Sequence, residues 1–205
     1  MLLCSAAAPA ATEAVPGAWL RVEALPPDAL PGSSAGGTWT IYLDGFIDAQ
    51  AAPRLAEVIA QQQITAAAVY FNSPGGSLIA GMAVGRLLRE HGFSTHVGRR
   101  SADPAWPGTG VCYSACPFAY AGGASRHLAA GSVLGVHRAA NRVPVPDEFA
   151  FEQLVASQAG VYIVAMGVNP GLVTLMAQVP HDQIRLLTRE EAERLNLVTD
   201  QRERD

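Results

Sequence analysis

Ala66-Ala67-Ala68-Val69-Tyr70-Phe71-Asn72-Ser73-Pro74-Gly75-Gly76-Ser77-Leu78-Ile79-Ala80-Gly81-Met82 carries the pattern that decides the fold. Its first six residues form a short apolar run bounded by turn residues, as a buried strand requires. Pro74 fixes the backbone entering the turn, and the two glycines let the chain turn tightly with no Cβ in the way. From Ser77 onward Ile79, Met82, Ala83 and Leu87 mark the faces of a helix that stops at His91-Gly92. A buried strand that turns through a diglycine into a helix is a building unit of α/β proteins.

The alternation extends in both directions. Thr38-Trp39-Thr40-Ile41-Tyr42-Leu43 is a β-rich run closed by Asp44-Gly45. Residues 49–63 place Leu55, Val58 and Ile59 at helical spacing, with Pro53 in the first turn. Residues 93–97 form another strand, and a polar, proline-containing insert over 98–110 is long enough for a lid or rim loop. Residues 117–121 fit a short buried helix ended by Gly122-Gly123, and 132–137 a strand that ends on His137. The pattern predicts a long amphipathic helix over 147–166 and a shorter one over 170–178. Capping-box chemistry at Thr188-Arg189-Glu190-Glu191 opens a last helix. Together these elements predict an α/β fold with parallel strand pairing and no internal repeat.

At 205 residues the chain suits one domain with a real core. Only 16% of residues are charged and the net charge is −4, which argues against a nucleic-acid surface. All 14 basic residues are arginine, so a Ser-Lys dyad is excluded within the chain, and an activated serine must rely on histidine or a carboxylate. Residues 1–37, rich in Ala, Pro, Gly and Ser, read as a leader that is loosely ordered or adds an edge strand. Its first residues lack a basic start, and read equally as the remnant of a signal peptide with small residues near Ala8 and Ala10, or as a flexible cytosolic leader. Cys4 follows two leucines, a poor context for lipidation. No apolar run approaches the ~20 residues that span a bilayer.

Three parts of a serine hydrolase stand apart in the chain. Ser114 lies in Cys112-Tyr113-Ser114-Ala115-Cys116-Pro117, where Pro117 in a first helical turn puts the helix start near Ser114 or Ala115. By position alone this serine reads as an N-cap. Gly75-Gly76 exposes backbone amides that can meet a carbonyl or anion, though a plain strand–helix turn has the same residues. The turn is neither a Walker A loop nor a dinucleotide fingerprint. Among five histidines, His137 stands out because Val133-Leu134-Gly135-Val136 delivers it from the core.

The order Ile41-Tyr42-Leu43-Asp44-Gly45, then Tyr70 to Met82, then Ser114, then His137, resembles the proteolytic subunit of the Clp protease. It resembles more closely the ClpP-like periplasmic proteins that share a Cys-x-Ser-Ala-Cys segment. The likeness runs from about Thr38 to Val198, with Asn72-Ser73-Pro74-Gly75-Gly76 and Ala80-Gly81-Met82 its most specific parts. The resemblance implies a ClpP/crotonase-like single domain over residues 38–200, a spiral of β-β-α units, followed by a charged tail over 201–205. It implies Ser114 as nucleophile, His137 as general base, and the Gly76 and Ala115 amides as the oxyanion hole. It further implies a peptide or protein substrate, homo-oligomeric ring assembly through residues 147–166, and no cofactor.

Two departures from the family pattern stand out. Ile184 occupies the position of the family's aspartate, and Asp182, two residues earlier, is the candidate third member of the triad. The 98–110 insert is the second. The flanking cysteines add a further question. Residues four apart in a helix hold their Cβ atoms ~5–6 Å apart, too far for an unstrained bridge. If the helix starts at Ser114, Cys112 lies in an extended lead-in and a Cys112–Cys116 disulfide becomes feasible; otherwise both are buried thiols. No paired-histidine motif accompanies them, so no metal site is expected. The reading is a serine peptidase of the bacterial envelope, periplasmic or secreted, with a cytoplasmic location as the alternative. A non-catalytic assembly or binding module of the same fold, or a crotonase-like acyl-CoA enzyme, are the competing readings.

Overall fold

In the computed structural model, β1 (Arg21–Leu25) pairs antiparallel with β2 (Trp39–Asp44), the first strand of a parallel series. β3 (Ala67–Asn72), β4 (Ser94–Val97) and β6 (Arg126–His127) follow in parallel, giving a five-stranded sheet in the order β1-β2-β3-β4-β6. A smaller sheet has the order β5-β7-β8, in which β5 (Val111–Tyr113) runs parallel to β7 (Val133–Val136) and β8 (Arg185–Leu186) runs antiparallel to it. The structure describes residues 19–29, 37–102, 107–139 and 146–200. Residues 1–18 of the leader, with Cys4, Ala8 and Ala10, together with 30–36, the centre of the 98–110 insert and the 201–205 tail, lie outside the described residues. Among the described residues no helix is long and apolar enough to cross a membrane.

Alternation along the strands gives the large sheet two unlike faces. Ile41, Leu43, Val69, Phe71 and Val97 point to one side and are essentially fully buried. They join a core with Leu55 and Ile59 of α1 (Ala51–Gln61) and Met82, Val84 and Leu88 of α2 (Leu78–Glu90). Burying one such side chain as large as Phe71 is worth about 2–3 kcal/mol. On the opposite face the register aligns Tyr42, Tyr70, His96 and His127, one from each of four neighbouring strands. Their ring centroids are 5.4, 4.6 and 4.6 Å apart.

That row makes stability depend on pH. Burial, aided by the neighbouring His127 and opposed by Asp200, holds the His96 imidazole down to about 4 from its usual 6.5. Between these two values the unfolded chain binds the proton that the folded chain refuses. The contribution of neutral His96 is therefore complete above about pH 6.5 and is lost as pH falls toward 4. Urea denaturation should show stability falling by up to roughly 3 kcal/mol across that window. His96→Phe should flatten the dependence; an unchanged slope would show that another group is responsible.

The short helix α3 (Cys116–Ala121) is fully buried along its length, and two arginines anchor its far end. Arg89 donates to the carbonyls of Ala121, Gly122 and Gly123, and also to that of Met166. Arg126, only 3% exposed, donates to Gly123, Asn196 and Leu197 oxygens at 2.8–3.0 Å. Carbonyls left over at a helix C-terminus are suitable acceptors for such cations. With its end fixed, α3 gives a rigid support to whatever precedes it.

The later helices are α4 (Glu148–Ala165), α5 (Gly171–Ala177) and α6 (Arg189–Arg194). Thr188 and Glu191 form the expected capping box at the start of α6. The expectation of an amphipathic α4 needs correction. Val155, Ala159, Tyr162 and Ile163 are buried, but Phe149, Leu154, Val161 and Val164 face outward, so the helix is apolar on both sides.

Candidate active site

Three chain segments that leave parallel strands meet where the two sheets join. Ser73, just past β3, bridges to Cys112 of β5: its amide donates to Val111 O at 2.7 Å and its carbonyl accepts from Tyr113 N at 3.0 Å. The Asn72 side chain accepts from Val111 N and donates to Asp44. The fully buried Ser73 hydroxyl accepts from Gly75 N at 3.1 Å, shaping the diglycine turn from within. Asp44, Asn72 and Ser73 were not among the sequence-derived candidates. The position of Asn72-Ser73 between a strand end and a proline was the available signal.

Both glycines of the turn are required. Gly75 and Gly76 have φ of +106° and +147°, where L side chains are rare. A Cβ on Gly76 would strike Ile47, whose backbone pairs with the turn through Ile47 N to Gly75 O and Ser77 N to Ile47 O, both 2.8 Å. A Cβ on Gly75 would lie 2.5 Å from Ser114 Cβ. The diglycine and the serine are thus packed against each other, although 38 positions separate Gly76 from Ser114 in the chain.

Ser114 is not the N-cap that its position suggested. The cap is Ala115 and α3 begins at Cys116, one to two residues later than expected. Ser114 itself has φ +60°, a left-handed conformation that is uncommon for a non-glycine residue and tends to occur at functional sites. It occupies a sharp turn between β5 and α3, which lifts its side chain out of both elements. The turn is fixed before and after: Ser114 N donates to Gly135 O at 3.0 Å, and Ala115 O accepts from Phe118 N at 3.2 Å. Cys112 and Cys116 are joined as a disulfide across it, with Cα atoms 5.1 Å apart. Of the two options left open by the sequence, the extended lead-in of β5 is the one that permits this bridge.

His137 is delivered by the neighbouring strand. Val111, Cys112 and Tyr113 align with Val133, Leu134 and Gly135, so continuing the parallel register sets Ser114 beside Val136, the residue before His137. The two candidates leave adjacent strands at the same end of the sheet, where strand axes lie ~4.8 Å apart. His137 is half-buried and its Nδ1 is shielded from solvent. Among the described residues, the amides of Gly76 and Ala115 donate to no protein acceptor.

Asp182 lies in the segment that borders His137: Arg138 N donates to Val179 O at 3.0 Å and Val136 aligns with Arg185, which places residues 180–184 alongside the histidine. It lies in the exposed turn closed by Gln183 N to Pro180 O, and among the described residues it forms no hydrogen bond or ion pair. Antiparallel pairing aligns Gly135 with Leu186 and Val136 with Arg185, where the ladder ends. Ile184 lies over Gly135, where its Cγ2 would be 2.7 Å from an added Cβ. Ile184, at the position where the resemblance would put a carboxylate, thus packs over Gly135.

A cleft of about 500 Å³ opens beside these residues. Leu78 follows the diglycine turn, Phe118 is one helical turn past Ser114, and Arg138 follows His137; all three line it. Val155 of α4 and Met176 of α5 make its far wall apolar, with His181 at the rim. A volume of this size suits a bulky side chain or small ligand. Among the described residues, no group of three or more His, Cys, Asp or Glu side chains is arranged to hold a metal ion. No family model and no curated protein matches this chain.

Proposed function

We propose that the chain is a ClpP-like serine hydrolase that cleaves peptide bonds, built on the ClpP/crotonase spiral. The observation that carries the reading is Ser114. A left-handed serine between a strand and a buried helix, packed on a diglycine turn and one strand away from His137, is costly to maintain for structure alone. In the proposed reaction Ser114 Oγ attacks the substrate carbonyl carbon while His137 Nε2 takes its proton. The resulting oxyanion accepts hydrogen bonds from Gly76 N and Ala115 N. Collapse of the intermediate expels the amine, which takes the proton from His137, and a water then hydrolyses the acyl-serine. The apolar cleft would receive the side chain next to the scissile bond.

The proposal includes self-assembly and a location in the bacterial envelope. Phe149, Leu154, Val161 and Val164 form an outward apolar surface on α4 that suits a second copy, and the disulfide is compatible with an oxidising compartment. In this reading Asp182, carried on the turn between Val179 and Arg185, is the candidate to orient His137. A fluorophosphonate probe should label the folded wild-type chain, more slowly label Asp182→Asn, and leave Ser114→Ala unlabelled. Absence of labelling in folded wild type across pH 6–9 would overturn the reading.

One observation favours a second reading. Ile184, an apolar residue, stands at the position where the resemblance puts an aspartate, a departure expected of a non-catalytic binding module of this fold. The Ser114→Ala variant separates the two, since a binding module would retain its cellular role after that change.

A further inference from the structure

The Ser114 turn is bound to the rest of the fold on its two sides by different means. On the strand side, Tyr113 N donates to Ser73 O and Ser114 N to Gly135 O, both at 3.0 Å. On the helix side, Ala115 is held by packing: it is 2% exposed, and Gly81 of α2 approaches so closely that an added Cβ would be 2.5 Å from Ala115 O. The Cys112–Cys116 bond is the covalent link between these sides, and it encloses Tyr113, Ser114 and Ala115. Those three residues include both the nucleophile and one oxyanion donor of the proposed site.

Resting on the hydrolase reading above, we infer that the Cys112–Cys116 disulfide is a positioning element of the active site. With the bond closed, the turn presents Ser114 Oγ and the Ala115 amide together. With it open, Ser114 is free to leave its left-handed conformation, and the Ala115 amide turns away from the oxyanion position. Acylation then slows while the sheet and its core persist, because neither depends on this three-residue loop. Opening the bond requires a dithiol reductant. A donor thiolate attacks one Sγ, the S–S bond breaks and the other cysteine leaves as a thiolate. The donor's second thiol then closes its own disulfide and frees the first cysteine, so two electrons and two protons pass to the protein. Both cysteines are fully buried, so this exchange has to wait for the turn to open. The bond is a lasting part of the site, formed where the compartment is oxidising, and the enzyme is active there and slow in a reducing one.

The test compares the oxidised full chain, the same chain refolded in dithiothreitol, and the double variant Cys112→Ser/Cys116→Ser. The readouts are the fluorophosphonate labelling rate, hydrogen exchange over residues 113–118, and exchange in β2 and β3. Labelling should fall at least about tenfold in the reduced chain and in the variant, since loss of one oxyanion donor alone costs more than that. Exchange should rise in the turn and stay unchanged in β2 and β3. Reoxidation with oxidised glutathione should restore the reduced wild type and leave the variant slow. Equal labelling rates in oxidised and reduced chains, or unchanged exchange in the turn, would overturn the inference. If the oxidised wild type is not labelled at all, the hydrolase reading fails, and exchange in the turn still decides whether the bond positions it. If the variant does not fold, the reduced wild type carries the comparison.

Discussion

Gly75→Ala is expected to lower the rate at which a fluorophosphonate labels Ser114 by at least about 100-fold. The new Cβ would lie 2.5 Å from Ser114 Cβ and 2.6 Å from Tyr113 O. Carbon atoms rest about 3.5–4.0 Å apart, so relief requires one of the two turns to move by about 1 Å. Displacement on that scale at a catalytic group is enough for a loss of this size. The φ of +106° adds backbone strain of about 1–3 kcal/mol, so the variant should also be measurably less stable. Pairing the labelling rate with a denaturant titration separates the two effects. A variant that labels at the wild-type rate would show that Ser114 and the diglycine do not share a site.

Gly122→Ala should have the largest effect on stability, a loss of about 3 kcal/mol and a fall in Tm of roughly 10 °C. Gly122 has an ordinary helical φ of −66°, so alanine itself is conformationally acceptable there. The difficulty is contact. A Cβ would strike the carbonyl oxygen and Cα of Gly85, where α2 and α3 cross backbone to backbone. Neither atom belongs to a side chain that can rotate away, so the helices have to separate. Tyr162 crowds the same crossing: its hydroxyl donates to Phe118 O at 2.7 Å, and an added Cβ on Gly85 would meet it. Gly160→Ala is the matching control. Gly160 lies within α4, where a Cβ meets nothing within 4 Å, and the change should stabilise by about 0.5–1 kcal/mol. Thermal melts of both variants check the pair; the same sign in both would show that the crossing is looser than described.

The glycine effects also mark where sequence reading stops. Gly75 and Gly76 announce themselves locally, because a Pro-Gly-Gly run after an apolar strand has few other uses. Gly85 and Gly122 look like weak points in two helices, and only their approach to each other explains them. Sequence periodicity anticipated β2, β3, β4, α1 and α2 to within two residues, since their apolar residues follow spacings of two or of three and four. Thr188 likewise marked a helix start by its own side-chain chemistry, and it accepts the expected amide hydrogen bond. The two-residue strands β6 and β8 escaped notice, being too short to carry any period.

The sequence by itself determined the alternation of strands and helices, the absence of a lysine base, and the identity of Ser114, His137 and Gly76 as candidates. These follow from residue type and from neighbours within one or two turns of the chain. The tertiary structure alone decided that Ser114 is left-handed instead of a helix cap and that Cys112 and Cys116 join across it. Both depend on pairing between distant segments: β5 with β7, and the Ser73 bridge between the sheets. Strand register is set by the packing of the whole core, and a shift of a single residue would exchange the side chains that face the site.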